Sequence, residues 1–347
     1  MTVPAATDPA TEIATEPIRP TGPALVAMLA LVGRAPSIHN TQPWRWEVGA
    51  GELVLRADRA RQLTVADPDG HSLRVSCGAA LALAEVVLAG AGWDVTVDRL
   101  PDPADGDLLA RITDFRPRIV TDDDRELVAA AVTRFSDRRP FAPTPVSEEL
   151  AERLRVATDR PGAVHVAFPA RPEQRTNLAV AVNAADRSER QDPAYLAELA
   201  RWVRTDDHEG IPPETVPHVD AAHPRHTDLP VRDFEIGRPG AELIRQDVDE
   251  DPLIAIVLTP SDRPADQLHA GEAMMRLMLA AGRAGLTSCP VSQSVDYVAF
   301  RARLRTLMGW TSMPQMILRI GYPSTDTAPP PPTPRRPVQE VVAARCG

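Results

Sequence analysis

The sequence predicts an α+β fold in which one structural unit occurs twice. Two segments, SLRVSCGAALALAEVVLAGAG (Ser72 to Gly92) and QLHAGEAMMRLMLAAGRAGL (Gln267 to Leu286), are apolar around most of the helical circumference, the pattern of helices covered on several sides. Laid with Gly78 on Gly271, they bring Gly92 onto Gly285, Ala80 onto Ala273, Leu81 onto Met274 and Val86 onto Leu279. Each is followed by a short β-rich run with arginine in the same place, LLARIT (Leu108 to Thr113) and MILRIG (Met316 to Gly321).

The remaining elements fall into the same order. Residues 1–23 lack the basic start and apolar core of a secretory signal and read as a disordered leader. ALVAMLALV (Ala24 to Val32) and ELAERLRVA (Glu149 to Ala157) read as the opening helices of the two copies, with Leu25 and Leu29 matching Leu150 and Leu154. Strands follow each: WRWEV and LVLRA in the first copy, AVHVAF and LIAIVL in the second. The chain therefore divides into an N-terminal half, 24–120, and a C-terminal half, 130–347. The second half is longer for two reasons. A segment rich in Pro, Asp and His, about 184–246, reads as a lid-like loop insertion. The tail 327–347 begins TAPPPPTPRRPVQEV, whose prolines hold it extended, able to carry Arg335 and Arg336 across to the other half.

Composition narrows the function. A net charge of -10 disfavours nucleic acid and anionic lipid as partners, which leaves a small molecule. The 38 basic side chains are all arginine, which excludes a P-loop lysine and a lysine Schiff base. Three cysteines, widely spaced and without a CxxC, suggest neither a disulfide framework nor structural zinc, and fit a reducing cytoplasm. No uncharged apolar run of about 18 residues occurs, so no membrane span is expected.

Four clusters are candidates for chemistry. In PSIHNTQPW, the uncharged polar residues Ser37, His39, Asn40, Thr41 and Gln42 precede Trp44 and Trp46, which alternate with Arg45 and Glu47 and so share one strand face in the core. In RFSDRRPF, Arg134, Ser136 and Arg138 alternate and project from one face of an extended segment, suited to a phosphate or a polar heterocycle edge; a solvated charged turn would read the same. In AGLTSCPVSQS, an irregular backbone follows the second long helix, either as a helix stop or as a set of N–H groups aimed at a ligand. The fourth is Arg335 with Arg336, which in isolation reads as an exposed tail.

Together these clusters resemble the FMN-dependent nitroreductase superfamily, and within it the tandem branch called the Acg family, from about Leu25 to Val341. PSIHNTQPW, similar to PSxxNxQPW, is the most specific element. The resemblance implies a nitroreductase-type fold of two fused repeats, an internal pseudo-dimer with long buried helices and antiparallel or mixed sheets. It implies that Arg134, Ser136 and Arg138 hold the ribityl phosphate and the pyrimidine edge of FMN. Pro36, Ser37, Asn40 and Gln42 belong to the element presented from the opposite half. Pro290, Val291, Ser292 and Gln293 approach flavin N5, and Arg335 and Arg336 neutralise the phosphate. The first half lacks RxSxR and the second lacks PSxxNxQPW, so the pattern implies one composite, non-covalent FMN site per chain.

The implied activity is NAD(P)H-dependent reduction of small electrophiles such as nitroaromatics or quinones, by hydride transfer through flavin N5 with no protein nucleophile. The alternative is a protein that sequesters FMN beneath the segment around Trp202 to Pro213. Fusion satisfies the usual dimer contact internally, which suits a monomer or a weak homo-oligomer. A hydrolase built on Ser37 and His39 is set aside because the chain has no GxSxG elbow. His218, Asp220, His223 and His226 have metal-ligand chemistry but lack the helical spacing that fixes a site, and Cys289 reads as a packing residue.

Overall fold

The structure, a computed structural model, describes residues 20–203, 208–216, 229, 232, 234, 250–324 and 328–344. Helix α1 (Gly22–Val32) buries Leu25, Leu29 and Val32, and leads through the PSIHNTQPW stretch into β1 (Trp44–Val48) and β2 (Leu53–Ala57). The 20-residue α2 (His71–Gly90) follows, then β3 (Trp93–Arg99) and β4 (Leu108–Pro117). Helix α3 (Asp122–Thr133), closed at its start by a Thr121–Asp124 capping box, joins this set to the next. There α4 (Glu148–Thr158), β5 (His165–Ala167), α5 (Pro172–Gln191), α6 (Pro193–Trp202), β6 (Leu253–Thr259) and α7 (Pro264–Arg283) succeed one another. Strand β7 (Thr287–Val291), α8 (Val298–Met308) and β8 (Met313–Gly321) complete the second sheet, and α9 (Val338–Val341) and β9 (Val342–Ala344) end the described chain.

Two sheets result, β3-β4-β2-β1-β9 and β7-β8-β6-β5, in which the first four strands of each have corresponding chain positions. All pairs are antiparallel except β1 with β9, which makes the first sheet mixed. Trp44 and Trp46 are fully buried and Arg45 is exposed, as the period of a strand demands.

Helices α2 and α7 cross at the glycines that aligned in sequence. A Cβ on Gly78 would stand 2.1 Å from the Leu268 carbonyl oxygen, and one on Gly271 would stand 1.9 Å from that of Val75. Backbone therefore lies directly on backbone, which explains two glycines in helix interiors where each costs about 1 kcal/mol relative to alanine. Helix α2 is long and apolar enough to cross a membrane, but 72% of its apolar window is buried in the protein core.

Three expectations need correction. Residues 184–202, assigned to a loop-like insertion, are helical: α5 buries Leu178, Ala181, Val182, Ala185 and Glu189 on one face. Pro172 and Pro193 sit in the first turns of α5 and α6, where proline's missing N–H costs nothing. The tail is extended over 328–337 but then forms α9 and β9, and the latter adds to the first sheet beside β1. Of the leader, 20–23 includes the first residues of α1, while 1–19 lies outside the described residues, as do His218, Asp220, His223 and His226.

Candidate active site

Two adjoining cavities lie where α2, β7, the 134–138 stretch, the PSIHNTQPW stretch and the tail converge. They share Pro36, Ser37, Ser136, Arg138 and Ile211.

The 134–138 stretch runs extended beside β7, with Ser136 bridged to Ser288 and the Asp137 N–H donating to the Ser288 carbonyl at 2.9 Å. Arg134, Ser136 and Arg138 line the cavities and Phe135 lines the outer one as well, whereas Asp137 and Arg139 turn away and form a buried ion pair at 2.7 Å. At the end of the motif the Phe141 N–H donates to Glu250 Oε2 at 3.0 Å, and Glu250 pairs with the fully buried Arg319. The stretch is thus fixed by charges it does not show to the cavity.

Besides Arg138, which it shares with the inner cavity, the outer cavity gathers three guanidinium groups, those of Arg34, Arg134 and Arg335. The Arg34 carbonyl accepts from Arg134 Nη2 at 2.8 Å and from Arg335 Nη2 at 3.3 Å, while Arg34 Nη2 donates to the Val132 carbonyl at 2.7 Å. None of the three has a carboxylate partner among the described residues. Arg34 Nε, Arg134 Nε and Nη1, and Arg335 Nε are shielded from solvent and unpartnered. Burial first and the neighbouring Arg34 second push the Arg134 guanidinium down to about 10, and burial followed by Arg134 and Arg34 pushes Arg335 down to about 9. An anion among them would relieve the like-charge repulsion and supply the missing acceptors.

The inner cavity is narrower and mostly apolar, walled by Val75 and Met274 of the two long helices, Met316 of β8 and Cys289, Pro290 and Val291 of β7. Its polar groups include His39, Ser72, Ser76, Gln293, Arg138 and Arg232. Gln293 Nε2 is buried without a partner. Arg138 lies 5.2 Å above the Phe234 ring, which also meets His39 edge to face.

The PSIHNTQPW stretch holds its shape through unusual backbone. His39, Asn40 and Gln42 have φ of 46°, 55° and 49°, in the left-handed region. Such residues cost on the order of 1 kcal/mol or more each and persist where their surroundings over-determine them. Here the Ile38 N–H donates to Ser76 Oγ at 3.1 Å and the Gln42 N–H to Ser37 Oγ at 2.9 Å. Asn40 Nδ2 donates to the carbonyls of Gly210 and Pro334, both at 2.9 Å. Gln42 donates from Nε2 to the His208 carbonyl at 2.9 Å and accepts the Arg336 N–H at 2.8 Å. Both amides are therefore staples that fasten the 208–216 segment and the tail to this stretch.

Most residues singled out from sequence meet here: Pro36, Ser37, Asn40, Arg134, Ser136, Arg138, Pro290, Val291, Ser292, Gln293 and Arg335 all line one cavity or both. Gln42 and Arg336 line neither. Gln42 is consumed by chain-to-chain bonds, and Arg336 turns toward Asp58 at 3.7 Å and Glu340 at 3.6 Å. Sequence reading missed Arg34, Ser72, Ser76, Arg232, Phe234 and Met274. Arg34 stands two residues before the start of the recognised motif, and Ser72 and Ser76 lie one turn apart on a helix read only for packing. Arg232 and Phe234 carried no local signal.

Comparison with known proteins identifies the family. Residues 131–322 match the nitroreductase family. The Mycobacterium tuberculosis protein named "Putative NAD(P)H nitroreductase Rv3131" is 35% identical over 320 residues, covering 91% of this chain and 90% of its own. The acg protein of the same organism is 34% identical over 320 residues, 91% of this chain and 94% of its own. Among solved structures, the FMN and NADPH-dependent nitroreductase NfnB from sphigopyxis sp. strain HMH gives a TM-score of 0.40 at 18% identity, covering 64% of this chain and 99% of that one. The chain belongs to the nitroreductase family of oxidoreductases.

Proposed function

We propose that the protein binds FMN across the two cavities and transfers electrons from NAD(P)H to small electrophiles such as nitroaromatics or quinones. The observation that carries the reading is the trio Arg34, Arg134 and Arg335, half-buried together with no carboxylate partner among the described residues and with shielded, unpartnered N–H groups. A phosphate fits this set, and the apolar slot beyond it suits a planar ring. FMN, when bound, supplies two-electron hydride chemistry. The chain's part is to hold and orient. The trio would grip the phosphate, Arg138 would place positive charge beside the ring, and Val75, Met274 and Met316 would keep water from its faces.

The contributions of residues 36–40 and of 134–138 with 290–293 come from the two sequence halves, 24–120 and 130–347. We read the chain accordingly as an internal pseudo-dimer with one FMN, monomeric or weakly associating, cytoplasmic, and without nucleic-acid or membrane partners. The corresponding strand orders and the reciprocal Gly78 and Gly271 contacts support this reading.

A second reading, storage of FMN without turnover, is favoured by one observation. The segment 208–216 lies over the cavities, with Ile211 lining both, Thr215 lining the outer one, and Glu209 paired with Arg61. Anaerobic stopped-flow mixing with NADH and NADPH separates the two. Bleaching of flavin absorbance within seconds is expected of the oxidoreductase, whereas a flavin reduced only by dithionite supports storage. A purified chain that binds no FMN at one per chain would remove both readings.

A further inference from the structure

His39 stands in the wall of the inner cavity with its two ring nitrogens in different situations. Nε2 lies 2.6 Å from Arg232 Nη1. Arginine can only donate, so Nε2 must accept, and the proton of the neutral ring is confined to Nδ1. Nδ1 is buried and has no partner among the described residues. Arg232 is itself immobilised: Nη2 pairs with Asp296 Oδ2 at 2.5 Å and Glu189 Oε1 at 3.3 Å, and its guanidinium lies 5.7 Å from the Tyr195 ring centre. The ring is also kept neutral, because burial first, then Arg232 and Arg138, hold His39 well below the ordinary histidine range. The result is a neutral, orientationally fixed donor whose acceptor is not among the described residues, which leaves it available to a ligand in the cavity.

We propose that the Nδ1–H of His39, set by Arg232, is the hydrogen-bond donor by which the inner cavity selects a ligand carrying an oxygen or ring-nitrogen acceptor. The acceptor belongs to the flavin ring or to an oxidised substrate of quinone or nitro type; this identity rests on the function proposed above, while the tautomer does not. A ligand presenting an ammonium or an amine N–H at that position would meet donor against donor and be rejected. The site therefore admits a nitro group more readily than the amine to which it is reduced.

The test uses the full chain, with two replacements that both tolerate the left-handed backbone of position 39. His39→Asn keeps a donor where Nδ1 stood, and His39→Gly deletes it. Nitrogen-15 NMR of the ligand-free chain, with the His39 signals identified by their loss in the Asn variant, should show the Nδ1–H tautomer persisting from about pH 8 to 5. An Nε2–H tautomer or an imidazolium overturns the proposal even if FMN never binds. If the flavin is the acceptor, the FMN dissociation constant rises about tenfold in His39→Gly and returns toward the parent value in His39→Asn. If the substrate is the acceptor, FMN affinity stays level and KM for 1,4-benzoquinone shows that rise and rescue instead. Equal FMN affinity and equal KM across the three folded proteins overturn the proposal; failure of the parent chain to bind FMN overturns the functional reading instead.

Discussion

Two clusters of half-buried arginines stand in this molecule, and they are built on opposite terms. Between α2, β3 and α7, Arg99 and Arg276 share Glu85 and Glu272, with contacts of 2.6 Å (Arg99 to Glu272), 3.2 Å (Arg99 to Glu85), 3.0 Å (Arg276 to Glu85) and 3.5 Å (Arg276 to Glu272). Every charge there is answered. In the outer cavity Arg34, Arg134 and Arg335 answer only to backbone carbonyls and threonine, and repel one another. The first cluster holds two long helices and a strand in register; the second stores an unmet demand for an anion. A cluster of arginines is thus not a functional signal by itself; the proposed phosphate site rests on a cluster with no carboxylate partner among the described residues.

The comparison breaks most sharply in the paired cluster. Glu272→Ala should leave two guanidinium groups sharing Glu85 alone and lower unfolding stability by about 3 kcal/mol in urea titration. An unchanged midpoint would mean that pairing does not hold this junction. In the unpaired cluster Arg134→Ala should do the reverse: leave or raise the stability of the ligand-free chain while weakening FMN by roughly 10- to 100-fold in fluorescence titration. If that variant instead lost stability and kept its FMN affinity, Arg134 would belong with the structural arginines.

A smaller effect tests the same rule with the sign of the charge inverted. Asp67 is a fully buried carboxylate without a guanidinium partner, accepting instead the N–H groups of Ser72 at 2.9 Å and Leu73 at 2.8 Å at the start of α2. Burial raises its carboxyl from 3.8 to about 7, against those N–H groups and with Asp296 and Asp69 adding to the rise. Between these values the folded chain holds a proton that the unfolded chain has released, so Asp67 lowers stability as pH rises through that window. The difference in Tm between the parent chain and Asp67→Asn should therefore move against the parent from pH 4 to 7. A difference that stays constant would show that Asp67 ionises as freely in the fold as out of it.

Much of this was legible in the sequence because it rests on periodicity. Gly78 and Gly271 marked the helix crossing, Trp44 and Trp46 marked a strand face, and the alternation of Arg134, Ser136 and Arg138 survived into the cavity wall. What failed depended on distant partners. Gln42 and Arg336 have the right chemistry for a ligand, yet each is taken by the other and by neighbours far along the chain. His39 looked like one polar residue among several until Arg232, 193 residues away, fixed its tautomer. The helical face of α5 was hidden by a composition that resembled a loop, since proline at a helix start and proline within a loop read alike.

The pairing of β9 with β1 carries a consequence for how the protein is made. Residues 329–335 form one wall of the outer cavity, and the strand that secures them docks on an element more than 290 positions earlier, with Val342 opposite Trp46. During synthesis both long helices and both four-stranded sheets can assemble before that strand leaves the ribosome. Arg34 and Arg134 then stand without Arg335, and the proposed phosphate site is complete only once the tail has docked. On the proposed function, then, the grip on the phosphate depends on a strand at the end of the described chain, and a product lacking the tail would lose Arg335 from that grip.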